Sequence, residues 1–271
     1  MFSRALVSSL LFCAVSMPVM AETDNKQLAE EAAKELANPN TAYASLNLKL
    51  QYNGGYREGG SNITTVFQPT LPFPLDGGDK IIFRPAISYV DNDFNSGGSK
   101  SGMSDISFDL AYAPKLSAGH IGAVGLIVSL PTGSDELSSG QLAIGPELLV
   151  GKVTKDRVFG AFPNHLIGVS DVSDGESRIN KTSAQIFYVE LLKGGWTVGS
   201  SPTFTYDWEK GQAEIPLNIT VTKTTVIAGR PWKIGIEANY YIEKDEKVRP
   251  DFMIGFNITP VVENGLANFF N

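Results

Sequence analysis

Cysteine is nearly absent: Cys13 is the only one in 271 residues. It lies in an N-terminal stretch with the layout of a secretory signal peptide. Arg4 is followed by an apolar run over residues 5–15, and Val19-Met20-Ala21 is a small-residue ending before Glu22, so cleavage is expected after Ala21. The exported chain would hold no thiol, which excludes disulfides and cysteine metal sites even in an oxidising compartment. Phe12 stands where a bacterial lipidation box wants a small residue before Cys13, which argues against a lipid anchor. Histidine is almost as scarce, and His120 and His165 alone cannot build a multi-histidine metal site.

Charge is also thin, at 19% of residues. There are 22 Lys+Arg against 29 Asp+Glu; without Arg4 the count is 21 against 29, so the net charge moves from −7 to −8. No basic face for nucleic acid is present. No apolar run after residue 21 approaches the roughly 20 residues that a spanning helix needs. The longest, residues 121–128, is strand-sized. An envelope-directed chain of this kind is a soluble periplasmic β-protein or a membrane barrel, the one non-helical way to satisfy backbone groups in lipid.

What the sequence does have is period-two alternation between turn clusters. In residues 45–52, Leu46, Leu48, Leu50 and Tyr52 alternate with Ser45, Asn47, Lys49 and Gln51. Residues 80–89 place Ile81, Phe83, Pro85, Ile87 and Tyr89 on one face; residues 103–112 do the same with Ile106, Phe108, Leu110 and Tyr112. Cleaner repeats follow through Trp196 to Trp208, Ile215 to Val221, Trp232 to Tyr240 and Phe252 to Ile258. Less clean segments occupy 63–73, 121–130, 142–153, 158–169 and 183–192. About twelve strands result, an even number, with both chain ends on the periplasmic side. Long polar stretches at 53–61, 91–101, 131–140 and 170–181 alternate with short connections at 115–119, 154–156 and 193–195, the pattern of outer loops and inner turns. The expected fold is all-β: a transmembrane antiparallel up-and-down barrel over residues 44–271, after a signal peptide (1–21) and a periplasmic helical segment (22–43).

A charge on the lipid face near the midplane costs roughly 2 to 4 kcal/mol, so the charged faces must turn to the lumen. Lumen-lining candidates are Lys49, Arg84, Asp105, Asp109, Glu147, Asp207, Glu214 and Glu237, with Lys80 and Lys233. Acid exceeds base, which points to a weak cation preference, with Arg84 partly neutralising Asp105 or Asp109 across paired strands. The aromatics near strand ends, among them Tyr52, Phe73, Tyr89, Tyr112, Trp196, Tyr206, Trp208, Trp232, Tyr240 and Phe252, read as interfacial girdles. A soluble sandwich or lipocalin-like barrel also alternates, but its water-facing sides would carry more lysine and glutamate than these do.

Ahead of the first strand, residues 24–36 read as a short helix capped by Asp24 and ended by Asn38-Pro39-Asn40, with Leu28, Ala32 and Leu36 on one face. It is either a plug at the periplasmic mouth or a frayed leader.

The run Leu36-Ala37-Asn38-Pro39, then Gln68-Pro69-Thr70-Leu71-Pro72-Phe73, Gly102-Met103-Ser104-Asp105, Pro131-Thr132-Gly133-Ser134-Asp135, Gly145-Pro146, Asn164-His165, Tyr206-Asp207-Trp208, Pro216-Leu217-Asn218 and Tyr240-Tyr241 resembles a Gram-negative family of outer-membrane transporters. The family is labelled the meta-pathway of phenol degradation and is sometimes misnamed neuromedin U. The resemblance implies a barrel passing small, aromatic or apolar molecules. The C-terminus departs from the usual terminal aromatic, since Asn271 follows Phe269-Phe270 and Pro260 interrupts the last strand's pattern.

No catalytic constellation is legible. A barrel hydrolase would need His165 beside a serine nucleophile and an orienting group, yet Asn164 points to the opposite face from His165. The acidic residues Asp91, Asp93, Asp135, Glu136, Asp171, Asp174 and Glu176 could bind calcium or simply be solvated. The chain is thus expected to be no enzyme and to need no cofactor. Its expected partners are outer-membrane lipid, lipopolysaccharide, the barrel-assembly machinery and a small-molecule solute. A non-conducting structural or interaction barrel is the alternative.

Overall fold

The computed structural model describes residues 18–94, 98–134, 137–172, 177–246 and 249–269. Helix α1 (Pro18–Ala37) precedes fourteen strands: β1 (Ala44–Gly54), β2 (Ser61–Pro74), β3 (Lys80–Phe94), β4 (Gly98–Met103), β5 (Ile106–Ala113), β6 (His120–Leu130), β7 (Ala143–Val153), β8 (Arg157–Gly168), β9 (Asn180–Leu192), β10 (Trp196–Ser200), β11 (Thr203–Asp207), β12 (Gln212–Ile227), β13 (Arg230–Glu243) and β14 (Phe252–Val262). All pairings are antiparallel, and β14 returns to β1, with Ala44 opposite Val262 and Gly54 opposite Phe252. Closure leaves no strand edge to satisfy in lipid.

Fourteen strands make twelve staves. β4 and β5 both pair with β3 and form one stave broken at Ser104-Asp105. β10 and β11 both lie between β9 and β12 and form another, broken at Ser201-Pro202. Pro202 has no N–H to give the ladder, and neighbours repair the gap: the Pro202 carbonyl accepts from the Ile186 amide at 3.1 Å, and the Asn218 side chain accepts from the Ser201 amide at 2.6 Å. The twelve-stranded barrel expected from alternation is therefore the fold.

Alternation decides which side meets lipid. Leu48, Leu50 and Tyr52 are exposed on β1, while Asn47, Lys49 and Gln51 turn inward. Ile236 is 61% exposed, whereas Leu149, on the inner face of its strand, is 2%. An apolar surface running round the wall is far larger than water-soluble proteins expose; it is a hydrocarbon face, and this excludes a soluble barrel with an inward core alone. Aromatics ring both ends: Tyr52 with Phe252 (6.2 Å between centroids) and Tyr206 with Trp208 (4.8 Å) above, Phe159 with Tyr188 (6.4 Å) and Trp196 below.

Three expectations need correction. Residues 91–101 are not a loop, because β3 and β4 keep pairing (Asp91 with Ser101, Asp93 with Ser99); the ladder is made by backbone groups, so polar residues extend it beyond the membrane. Pro260 does not interrupt β14, which runs on to Val262, but pairs with Trp232 near the strand's end. A short 3₁₀ segment, Gly265–Phe269, follows; Phe270 and Asn271 lie outside the described residues. Asp24 is not a helix cap, since α1 starts at Pro18. Proline costs nothing in a first turn, where its missing N–H has no partner anyway. The expected signal sequence lies mostly in residues 1–17, outside the described residues.

Candidate functional site

The lumen is where inward side chains and the N-terminal segment meet. Asp24 to Gln27 are exposed, but Ala29, Ala32 and Ala33 are buried, one helical stripe (i, i+3, i+4) against β12 and the Lys193–Gly195 turn. Small side chains let the helix lie close to the wall. The Gly194 amide donates to Glu30 Oε1 at 2.6 Å, and Lys223 Nζ donates to the Gly194 carbonyl. At its C-terminal end, Lys233 Nζ donates to the Leu36 carbonyl at 2.9 Å. This satisfies one of the carbonyls a helix leaves open there, and the cation suits the negative end of the helix dipole. Lys80 Nζ holds the following segment through the carbonyls of Asn40 (2.9 Å) and Thr41 (3.3 Å). The segment is a plug tied to the inner wall.

Above the plug, successive inward positions form rows across β1, β14 and β13. Asn47 accepts from Thr259 Oγ1 at 3.0 Å, and Thr259 is opposite Lys233. One row up, Lys49 is opposite Asn257, which is opposite Gly235; next, Gln51 and Glu237 flank Gly255. The charges acting on Lys49 are those of Glu237 and Arg84, and those acting on Lys233 are Lys49 and Glu237. Two adjoining cavities of about 240 Å3 and 200 Å3 share Leu36, Asn47, Lys49, Gln185, Ser201 and Lys233 as lining. Phe187 and Arg84 line the first, Glu237 the second.

Across the lumen the wall is apolar. Ile82, Ala111, Ala113, Ile121, Ala123, Leu149, Val158, Phe162 and Phe187 pack into one buried cluster, with Ala37 of the plug against it. At its edge Arg84 donates to Asp109 Oδ2 from Nε (2.9 Å) and Nη2 (2.6 Å) and lies 4.8 Å from the centre of the Phe162 ring. Glu147 is 4% exposed, receives no hydrogen bond from a protein N–H or hydroxyl, and lies against the Asp109 carboxyl. With Asp109, Arg84 and Pro39 of the plug it lines a void of about 10 Å3, at the lower limit for one water.

The eight expected lining residues thus separate. Lys49, Arg84 and Glu237 line the cavities; Asp109 and Glu147 line only the small void beside Arg84. Asp105 clamps an outer loop, accepting from the Gly133 amide (2.9 Å), Ser138 Oγ (2.6 Å), and the amide and hydroxyl of Ser139 (2.8 and 2.6 Å). Asp207 lies 3.6 Å from Lys181 and caps its own turn through the amides of Glu209 and Lys210 (both 3.1 Å). Glu214 pairs with Arg249 at 3.0 Å. The acid excess is therefore spent at the outer end, and the chamber itself is basic. Asn47, Gln185, Ser201 and the Leu36 carbonyl were not foreseen; the first three stand on inward polar positions, a signal too common to single them out.

His165 Nδ1 lies 2.8 Å from Thr182 Oγ1, which also accepts from Trp208 Nε1 at 2.8 Å, a polar cluster in the outer aromatic belt. Among the described residues, no three His, Cys, Asp or Glu gather as metal ligands. Of the acidic loop candidates, Asp135, Glu136, Asp174 and Glu176 lie outside those residues.

No protein-family model matches the chain, and no curated protein matches it in sequence. Solved structures do match in fold. An outer membrane channel from Pseudomonas putida F1 superposes with a TM-score of 0.63 at 13% identity, over 81% of this chain and 96% of that one. The NanC porin gives 0.52 at 14% identity, over 80% and 99%. The chain has the outer-membrane β-barrel fold of bacterial channels, and the resemblance seen in the sequence stands at that coarser level.

Proposed function

We propose that this chain is an outer-membrane channel for small solutes, held shut at rest by its own N-terminal segment. The observation that carries the reading is the plug itself: a helix tied to luminal groups by few, separable hydrogen bonds beneath a chamber of about 240 and 200 Å3. A wall built only for support needs no such removable part. The reading places the barrel among outer-membrane lipid and lipopolysaccharide, inserted by the assembly machinery, with no catalytic role. Small aromatic or apolar solutes, the class implied by the family resemblance, are supported by Phe187 beside the chamber and the Phe162 stack behind it.

Single-channel conductance in a planar bilayer tests this, with the full chain and with residues 22–40 deleted. The full chain is expected to flicker between closed and open levels and the deletion to stay open. A barrel that stays silent in both forms is a structural barrel, a reading favoured by the packed apolar half of the lumen.

A further inference from the structure

We propose that the chamber above the plug binds a small organic monoanion between Lys49 and Lys233. The inference rests on the channel reading and names its solute class. Three cations line the two cavities, Lys49, Lys233 and Arg84, against one carboxylate, Glu237. Arg84 is already engaged by Asp109 through two hydrogen bonds. That leaves two lysines facing one carboxylate, a surplus of one positive charge in a half-buried site. Lys233 spends one donor on the Leu36 carbonyl, and an ammonium has three. Unmatched ammonium groups away from bulk water are costly, and an anion between them removes the cost.

The rest of the chamber suits an organic anion over a bare ion. Asn47, Gln185, Ser201 and Thr220 supply neutral donors and acceptors, while Leu36, Phe187 and Val189 supply an apolar face. Gly235, between the rows of Lys233 and Glu237, lets Asn257 and Thr222 of the cavity wall pack close; a Cβ there would meet Asn257 Oδ1 at 3.0 Å and Thr222 Cγ2 at 2.7 Å. Adjoining volumes of about 240 and 200 Å3 are close to the lower end of small-molecule pockets. A flat aromatic or short aliphatic carboxylate has the right charge and size. This reverses the cation preference that a simple count of inward carboxylates gives.

The test is equilibrium dialysis of benzoate against the full chain folded in detergent at low salt, with benzamide as the uncharged control. Benzoate is expected to bind at least tenfold more tightly than benzamide, and Lys49→Gln with Lys233→Gln to remove that difference. Glu237→Gln, which deletes the competing carboxylate, is expected to tighten benzoate several-fold, so the proposal does not hang on the double variant's folding. Equal binding of benzoate and benzamide, or no response to Glu237→Gln in a heat-modifiable barrel, overturns it. Where current flows, reversal potentials in a salt gradient should show anion preference, and cation preference overturns the inference. Binding is read without current, so a silent barrel that still binds benzoate refutes the channel reading alone.

Discussion

The two halves of the lumen are built on different physics. From β3 through β9 the periplasmic part of the inner wall is a packed apolar core, with Leu149, Val158 and Phe187 almost fully buried. From β12 round to β2 the inner wall is polar, with Thr222, Thr224, Asn257 and Thr259 buried beside Lys49 and Lys233. The first half behaves like the interior of a soluble protein, where each lost methylene is felt. In the second half, water, the plug and a solute can exchange places round Lys49 and Lys233, because the side chains lining the cavities there are mostly polar. One wall anchors while its opposite leaves room for binding, which is how twelve staves can hold both a core and a chamber.

The seam between the halves should give the largest effect. Arg84→Met leaves Asp109 and Glu147 together with no counter-charge, a loss of about 3 to 5 kcal/mol for breaking a buried pair from one side. Urea unfolding in micelles, followed by tryptophan fluorescence, measures it. Lys49→Met, in the polar half, should change stability by no more than about 1 kcal/mol, the scale of an exposed or water-replaceable pair. Equal losses at the two positions would erase the distinction between seam and chamber.

Next comes the packed half itself. Leu149→Ala should cost about 2 to 5 kcal/mol, against about 1 kcal/mol for Thr259→Ala, which loses only its hydrogen bond to Asn47. The loss of gel-mobility difference before and after boiling should move to lower temperature for the first variant far more than for the second. A third contrast runs through the wall of one strand: Leu110→Arg on the lipid side should impair assembly by roughly 2 to 4 kcal/mol, and Ser107→Arg on the lumen side by much less. Equal tolerance in a folded-fraction assay would reverse the assignment of faces.

The same asymmetry explains what was legible in the sequence. All strands of the polar half but β2 alternate cleanly, so β1, β12, β13 and β14 stand out, and with them the lipid face. The indistinct segments at 121–130, 142–153, 158–169 and 183–192 are the strands whose inner face is also apolar: Ile121 and Ala123, Leu149, Val158 and Phe162, and Phe187 lie on it. Alternation fades where both sides of the wall are apolar, although β3 and β5, which give Ile82, Ala111 and Ala113 to the same cluster, still alternate cleanly. The charges were harder. A count of inward carboxylates cannot know that Asp105 is consumed by Ser138 and Ser139, or that Arg249 reaches Glu214, because those partners arrive from loops far along the chain. The helix was foreseen, but not which carbonyl Lys233 would hold, since that depends on the depth to which the plug enters.

The smallest effect is expected at the periplasmic rim, where it separates packing from charge. Asp79, in the β2–β3 turn, accepts from the Tyr112 hydroxyl and, at 2.8 Å, from the Lys115 amide. The Tyr112 hydrogen bond first, and then that of the Lys115 amide, hold the Asp79 carboxyl below the usual carboxylate range. A carboxyl depressed in the folded state contributes its stability above the unfolded value of about 3.9 and loses it as the pH falls through the lower folded value. The protection factor of the Lys115 amide, its intrinsic exchange rate divided by the observed rate at the same pH, should therefore be high at neutral pH and fall in acid, with the change beginning below about pH 4. Asp79→Ala should make that factor low throughout and abolish the step. Amides of Leu149 and Val158 should show no step over the same range, because they stand in the strand ladder and no carboxylate accepts from them. A shared acid transition at the rim and in the packed half would mean that the wall opens as one unit, and that its two halves are not energetically separate.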